Sequence, residues 1–128
     1  MISAKIIHWG AVAAGLGYPT ANLDVDEKDF SIESGVYAAY ATLRGVRYEA
    51  VLVVQDQPRK VELHLFDYSG DSLYGSMLSI EPMERVSDIL VFTNRQDLVA
   101  KINTDISLVR EVFSKTNRSL WLRFSQDY

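Results

Sequence analysis

Apolar and polar positions alternate in short blocks through the middle of the chain. Val36 to Leu43 (VYAAYATL), Arg47 to Val54 (RYEAVLVV), Lys60 to Phe66 (KVELHLF) and Leu73 to Ile80 (LYGSMLSI) are rich in β-branched and aromatic residues, and turn chemistry separates them. The breaks are Arg44-Gly45, the polar stretch Gln55 to Arg59 with Pro58, and Ser69-Gly70-Asp71. This spacing predicts four strands in a meander, each antiparallel to the next. Ala4 to Val12 (AKIIHWGAV) predicts a further strand, followed by the sharp backbone changes of Gly15-Leu16-Gly17 before Tyr18-Pro19.

Beyond Phe92 the period lengthens. Leu98, Ile102, Ile106, Val109 and Phe113 recur at three and four residues, the stripe of an amphipathic helix over about residues 94–115, with Thr93 and Gln96 as its capping box. The apolar run Arg118 to Phe124 (RSLWLRF) either prolongs that helix or lies across the strands as a closing segment. The expected fold is mainly β: a small closed antiparallel β-barrel of Greek-key type over about residues 1–92, with a C-terminal α-helix, all in a single domain spanning 1–128.

Composition narrows the function. A chain of 128 residues that is 48% hydrophobic and 23% charged buries enough surface to fold without cross-links. It has no cysteine, which excludes thiolate metal sites and thiol nucleophiles and fits a reducing, cytoplasmic setting. The net charge is -4 with scattered basic residues, unlike a nucleic-acid surface, and no apolar run is long enough to span a membrane. A small-molecule ligand and a monomeric state are expected. His8 and His64 are the only histidines, so a multi-histidine metal site is excluded. The P-loop pattern GxxxxGK[ST] is absent.

Four words in order carry the chemistry. Leu16-Gly17-Tyr18-Pro19-Thr20-Ala21-Asn22-Leu23 is followed by Gly35-Val36-Tyr37-Ala38. Then come Glu62-Leu63-His64-Leu65, with Asp67 and Leu73-Tyr74-Gly75 behind them, and finally Leu98 to Asp105 (LVAKINTD) on the helix. Together they resemble the riboflavin kinase family, whose words are L-G-F-P-T-A-N-L, G-V-Y-A, E-x-H-L, D-L-Y-G and L-x-x-Q-I-x-x-D. Lys101 stands in the glutamine position of the last. The resemblance implies a β-barrel enzyme that transfers the terminal phosphate of ATP to the ribityl hydroxyl of riboflavin, giving FMN, with magnesium or another divalent cation.

The implied roles are chemically apt. Magnesium takes oxygen ligands and keeps several waters, so the Thr20 hydroxyl and the Asn22 carboxamide oxygen suit a cation bridging nucleotide phosphates. Read alone, Pro19-Thr20-Ala21-Asn22 is an ordinary turn. Glu62 is the implied base, on the strand face it shares with His64 and Phe66, while Val61, Leu63 and Leu65 face the other way. Gly15 and Gly17 offer backbone N–H groups to phosphates, and Tyr74 offers an aromatic wall to the isoalloxazine ring. His64 fits a hydrogen-bonded supporting role. Lys101 and Asp105, four apart, permit a surface ion pair with no role in the site.

Some family features are missing. The G-x-V-x-x-G start is present as Gly10 to Gly15, but the loop with a G-R pair that should follow is absent. QDQPRK replaces a longer segment before Val61, and Ser87 occupies a position where the family places an arginine, with Arg85 two residues away. No adenylyltransferase segment precedes Met1, so FAD synthesis is not expected. These departures leave two functions open: an active riboflavin kinase, or a degenerate relative that binds flavin or nucleotide without turnover.

Overall fold

The computed structural model describes residues 2–10, 20–25, 31–56 and 58–126, with side chains followed to residue 117. Six strands, β1 (Ile2–Gly10), β2 (Thr20–Asp24), β3 (Gly35–Leu43), β4 (Val46–Gln55), β5 (Lys60–Leu65) and β6 (Met77–Ser87), close into a barrel in the order β1-β2-β5-β4-β3-β6. Every pairing is antiparallel. A helix, α1 (Arg95–Gln126), follows. The expected architecture is therefore present, including the Greek-key crossing that carries β6 past β5 to lie between β1 and β3.

Side-chain alternation builds the barrel interior. Ala21, Leu23, Leu52, Val54, Val61, Leu63 and Leu65 project inward, and each is at least nine-tenths buried. The β3–β4 hairpin turns on Arg44 and Gly45, both at positive φ (51° and 82°), the conformation a two-residue hairpin loop of matching twist requires. Strand β3 is buried on both faces because Val36, Ala38 and Tyr40 point outward and meet α1 rather than water. There Val109 and Phe113 complete a second, external core with Val51 and Phe66. The Tyr40 and Phe113 rings lie 5.1 Å apart. Alanine at positions 38, 39, 41 and 50 keeps the backbones of the hairpin close to their neighbours on both sides.

Several expectations are corrected. The segment Leu73 to Ile80 is not one strand. Leu73 is buried in the core from a loop, Ser76 N–H closes a turn onto the Leu73 carbonyl, and the strand begins at Met77 and runs on to Ser87. Pro82 is accommodated in it because the register with β3 slips between Ala38 and Ala39, so the missing N–H falls at a bulge. The four strands are accordingly no simple meander, since β6 pairs with β1 and β3 instead of β5. Thr20, Ala21 and Asn22 form no turn but open strand β2, as inward Ala21 and Leu23 demand. Strand β1 begins at Ile2, two residues before the expected start, and residues 11 and 12 of the expected strand lie outside the described residues. The helix cap is Asn94, one residue after Thr93. Its Oδ1 accepts the Asp97 N–H at 2.8 Å and its Nδ2 donates to Asp97 Oδ2 at 2.9 Å. The helix also runs past residue 115 to Gln126, so the RSLWLRF run prolongs it.

Candidate functional site

The outer face of β2 and β5 gathers the polar residues of two of the sequence words. The pairing sets Thr20 opposite His64 and Asn22 opposite Glu62, with Ala21, Leu23, Leu63 and Val61 directed into the barrel between them. Directly opposed residues share a face, so all four polar side chains rise from one patch of the barrel wall. Glu62 also stands opposite Val53, and His64 opposite Val51, which carries the patch onto β4 and toward the helix.

Thr20 is buried at 8% exposure, and its Oγ1 lies 3.3 Å from His64 Nδ1, a hydrogen bond whose direction follows the ring tautomer. Burial pushes the His64 imidazole below its usual pKa, against a smaller opposing pull from the negative charge of Glu62. Neutral imidazole is therefore the form the fold favours. Glu62 is mostly buried, and its Oε1 receives the Lys60 ammonium at 2.8 Å from the same strand face. Asn22 presents a different condition: its Oδ1 is buried and has no hydrogen-bond partner among the described residues. A buried carbonyl oxygen left bare costs stability, and here it leaves an acceptor open beside a carboxylate. The donor set around it is hard oxygen, which suits magnesium.

Beside this patch lies a cavity of about 210 Å³. Val36, Val53, Glu62 and His64 form its barrel side; Ile89, Leu90 and Phe92 close it from the β6–α1 connection; Leu98, Lys101, Ile102 and Asp105 form its helical wall. With Gln55 and Asp88 also at its edge, the cavity is lined by seven apolar and six polar side chains, a mixed wall able to hold a ring and to read polar groups on its rim.

The helical wall corrects the expectation of a surface ion pair. Asp105 is 7% exposed, and Lys101 Nζ donates to its Oδ1 at 2.7 Å and Oδ2 at 2.6 Å. The Ser87 hydroxyl accepts from Lys101 at 2.9 Å and donates to Asp105 Oδ1 at 2.6 Å. Spacing alone predicted the pair, but α1 lies with this edge against β6, which no periodicity in the helix could reveal. Ser87, where an arginine was expected, is thereby a partner of the pair. Arg85 does not enter the cavity: its guanidinium donates to the Ser34 carbonyl at 3.1 Å and to Asp88 at 2.6 Å, which raises its pKa further. It lies against Gly35, where a Cβ would come within 2.5 Å of Arg85 Nε.

Of the residues singled out in the sequence, Thr20, Asn22 and Glu62 are brought together with His64. Tyr74 is not. It is 71% exposed on the β5–β6 connection and does not line the cavity; the aromatic ring there is Phe92. Tyr74 lies next to Gly75, whose N–H is tied to the Ile6 carbonyl on β1, and this holds the loop to a different strand. Gly15 and Gly17 lie outside the described residues. Phe92, Lys101 and Ile102 were passed over as site residues because only the packing of α1 turns them toward Glu62. Among the described residues no helix is long and apolar enough to cross a membrane, and no group of three or more His, Cys, Asp or Glu is assembled to hold a metal.

Comparison with known proteins agrees with the fold. A bifunctional riboflavin kinase/FMN adenylyltransferase of Haemophilus influenzae is 28% identical over 120 residues, covering 88% of this chain and 38% of the relative. The chain thus spans little more than a third of that relative's length. The crystal structure of riboflavin kinase from Trypanosoma brucei superposes with a TM-score of 0.65 at 21% identity, covering 88% of this chain and 76% of that one. A structure described as a macrolide-efflux protein from Streptococcus pneumoniae superposes with a TM-score of 0.74 at 25% identity, covering 85% of this chain and 38% of that one. The sequence model of the riboflavin kinase (flavokinase) family matches residues 1–113, and the chain belongs to that family.

Proposed function

We propose that this protein phosphorylates riboflavin with ATP to give FMN, using the β2–β5 face as its reaction centre. The observation that carries this reading is the direct opposition of Asn22 and Glu62 beside a cavity of mixed lining, with the Asn22 carboxamide oxygen buried and without a partner among the described residues.

In this reading the cavity takes the flavin ring and leaves the ribityl chain pointing along the barrel wall toward Glu62. Glu62 accepts the proton of the ribityl hydroxyl as that oxygen bonds to the terminal phosphorus of ATP and the bond from phosphorus to the bridging oxygen of ADP breaks. Lys60, on the same strand face, holds the carboxylate in place through their ion pair. Thr20 and Asn22 supply the neutral oxygens that would hold a divalent cation, which neutralises phosphate charge when bound. Neutral His64, accepting at Nδ1, keeps the Thr20 hydroxyl as donor and leaves its lone pairs free. Phosphoryl transfer asks mainly for such positioning, because little covalent chemistry falls to the protein. Gly15 and Gly17 are proposed to line the phosphates through their N–H groups. For Tyr74 its exposed position supports no contact with the ring.

The test is incubation with riboflavin, ATP and magnesium, followed by separation of the flavins. FMN accumulating in step with ADP supports the kinase. Riboflavin bound in the fluorescence titration with no FMN formed would replace it with a binding protein of the same fold, the outcome that the missing G-R loop favours.

A further inference from the structure

The ion pair on the helical wall of the cavity is in an unusual place. Seven apolar side chains line the cavity, yet α1 directs Lys101 and Asp105 into it, with side chains only 16% and 9% exposed. Taking two charges out of water is costly, and apolar residues of similar size usually serve stability as well or better. The scaffold does not need the pair to hold α1 in place, because Val109, Phe113, Ile106 and Val112 already dock the helix on the barrel. The other charges at the cavity are engaged elsewhere: Asp88 binds Arg85 at 2.6 Å and Glu62 binds Lys60 at 2.8 Å. Lys101 and Asp105, paired with each other, are the charged groups of the helical wall, and their pairing leaves part of their hydrogen-bonding capacity for a ligand.

Their hydrogen-bonding capacity defines what they would read. Lys101 gives two N–H bonds to the Asp105 carboxylate and a third, the longest at 2.9 Å, to Ser87 Oγ. A ligand carbonyl can take over that third donor. Asp105 Oδ2 receives one bond against two at Oδ1, so it retains capacity for a ligand N–H. A neighbouring carbonyl and N–H on the rim of a flat ring is the pattern of a cyclic imide. The cavity, at about 210 Å³, is smaller than the roughly 300 to 1,000 Å³ that usually encloses a whole drug-sized ligand, so it admits a ring system and leaves a chain outside.

We propose that Lys101 and Asp105 are specificity-determining residues that bind the imide edge of the flavin pyrimidinedione, Lys101 donating to a ring carbonyl and Asp105 accepting from the imide N–H. This rests on the flavin reading of the cavity and deepens it. The wall orients the ring with its imide edge toward α1 and leaves the ribityl chain, borne by the central ring, to run along the barrel wall toward Glu62. Neutral aromatic rings of similar size that lack the imide would leave the buried pair's spare donor and acceptor unmet and bind weakly.

The test measures, by quenching of flavin fluorescence, the affinity of the full chain for riboflavin and for riboflavin methylated at the imide nitrogen. It is repeated on the variant with Lys101→Met and Asp105→Leu together, which replaces the pair by apolar side chains of similar size. Wild type is expected to bind the methylated flavin about 10- to 100-fold more weakly, the loss of a hydrogen bond to a charged acceptor, and the double variant to discriminate less than about 3-fold. Equal affinity of wild type for both flavins overturns the inference, and that measurement needs no variant to fold. Discrimination kept in full by the folded double variant overturns it too, because another group would then read the edge. Failure of wild type to bind riboflavin at all sinks the flavin reading itself, an outcome distinct from binding without discrimination.

Discussion

Asn22 and Glu62 stand directly opposite each other across the β2–β5 pair, so a buried carboxamide oxygen without a partner among the described residues and a mostly buried carboxylate share one face of the barrel. The register that opposes them also opposes Thr20 and His64, 44 positions apart in the chain. A slip of β2 by one residue would turn Thr20 and Asn22 into the barrel interior and Ala21 and Leu23 out of it. The apolar residues between them therefore hold the polar site in register.

Replacing Glu62 by Gln tests the base. The amide keeps the size of the carboxylate but loses its basicity and its charge pairing with Lys60. The FMN-forming kcat should fall by about 100- to 10,000-fold, the usual contribution of a general base. The far-ultraviolet circular dichroism spectrum and riboflavin affinity should be retained. A kcat close to wild type would remove Glu62 from the chemistry.

Asn22→Leu separates ligand binding from stability. The substitution deletes a buried oxygen that has no partner, so the melting temperature should hold or rise, unlike most buried substitutions. Magnesium-ADP affinity, measured by calorimetry, should drop by at least the roughly 10-fold that follows loss of even an outer-shell metal partner. Magnesium alone should bind wild type weakly, since Thr20 and Asn22 are neutral. Tight binding of the bare cation would contradict this assignment.

His64 should make stability depend on pH in the acidic range. Its folded pKa lies below the ordinary 6.5 because burial disfavours the imidazolium, so as pH falls below about 6.5 the unfolded chain takes up a proton that the folded one resists. The contribution is complete above 6.5 and is lost as pH drops toward the folded value. Denaturant midpoints measured between pH 7.5 and 5.5 should decline in wild type and more shallowly in His64→Gln. The same slope in both proteins would assign the dependence to other groups.

The Lys101–Asp105 pair predicts strong non-additivity. Asp105→Ala leaves a largely buried ammonium with only Ser87 as partner and should cost about 3 kcal/mol in urea unfolding, whereas the double change Lys101→Met with Asp105→Leu should cost far less than the single one. A pair lying in water would give under about 1 kcal/mol for either.

Much of the fold was legible in the chain. Turn chemistry at Arg44-Gly45 delimited β3 and β4 because a two-residue loop with positive φ leaves little choice of geometry. Alternation placed Val61, Leu63 and Leu65 inside and Glu62 and His64 outside for the same local reason. The errors occurred where local pattern and global packing diverge. Leu73 looks like part of a strand but plugs the core from a loop, and the strand expected to end at Ile80 runs on to Ser87 past a bulge beside Pro82.

The same division holds for the site. Sequence by itself singled out Thr20, Asn22 and Glu62 as candidates for the chemistry and showed which residues share a strand face with the glutamate, because strand alternation and ordered words are properties of neighbouring positions. Only the tertiary structure decided that Asn22 faces Glu62, that α1 roofs a cavity beside them with Lys101 and Asp105 inside it, and that Tyr74 stands away in solvent. Those facts depend on strand register and on which helical edge meets the barrel, and both are set by burial of apolar surface between segments far apart in the chain.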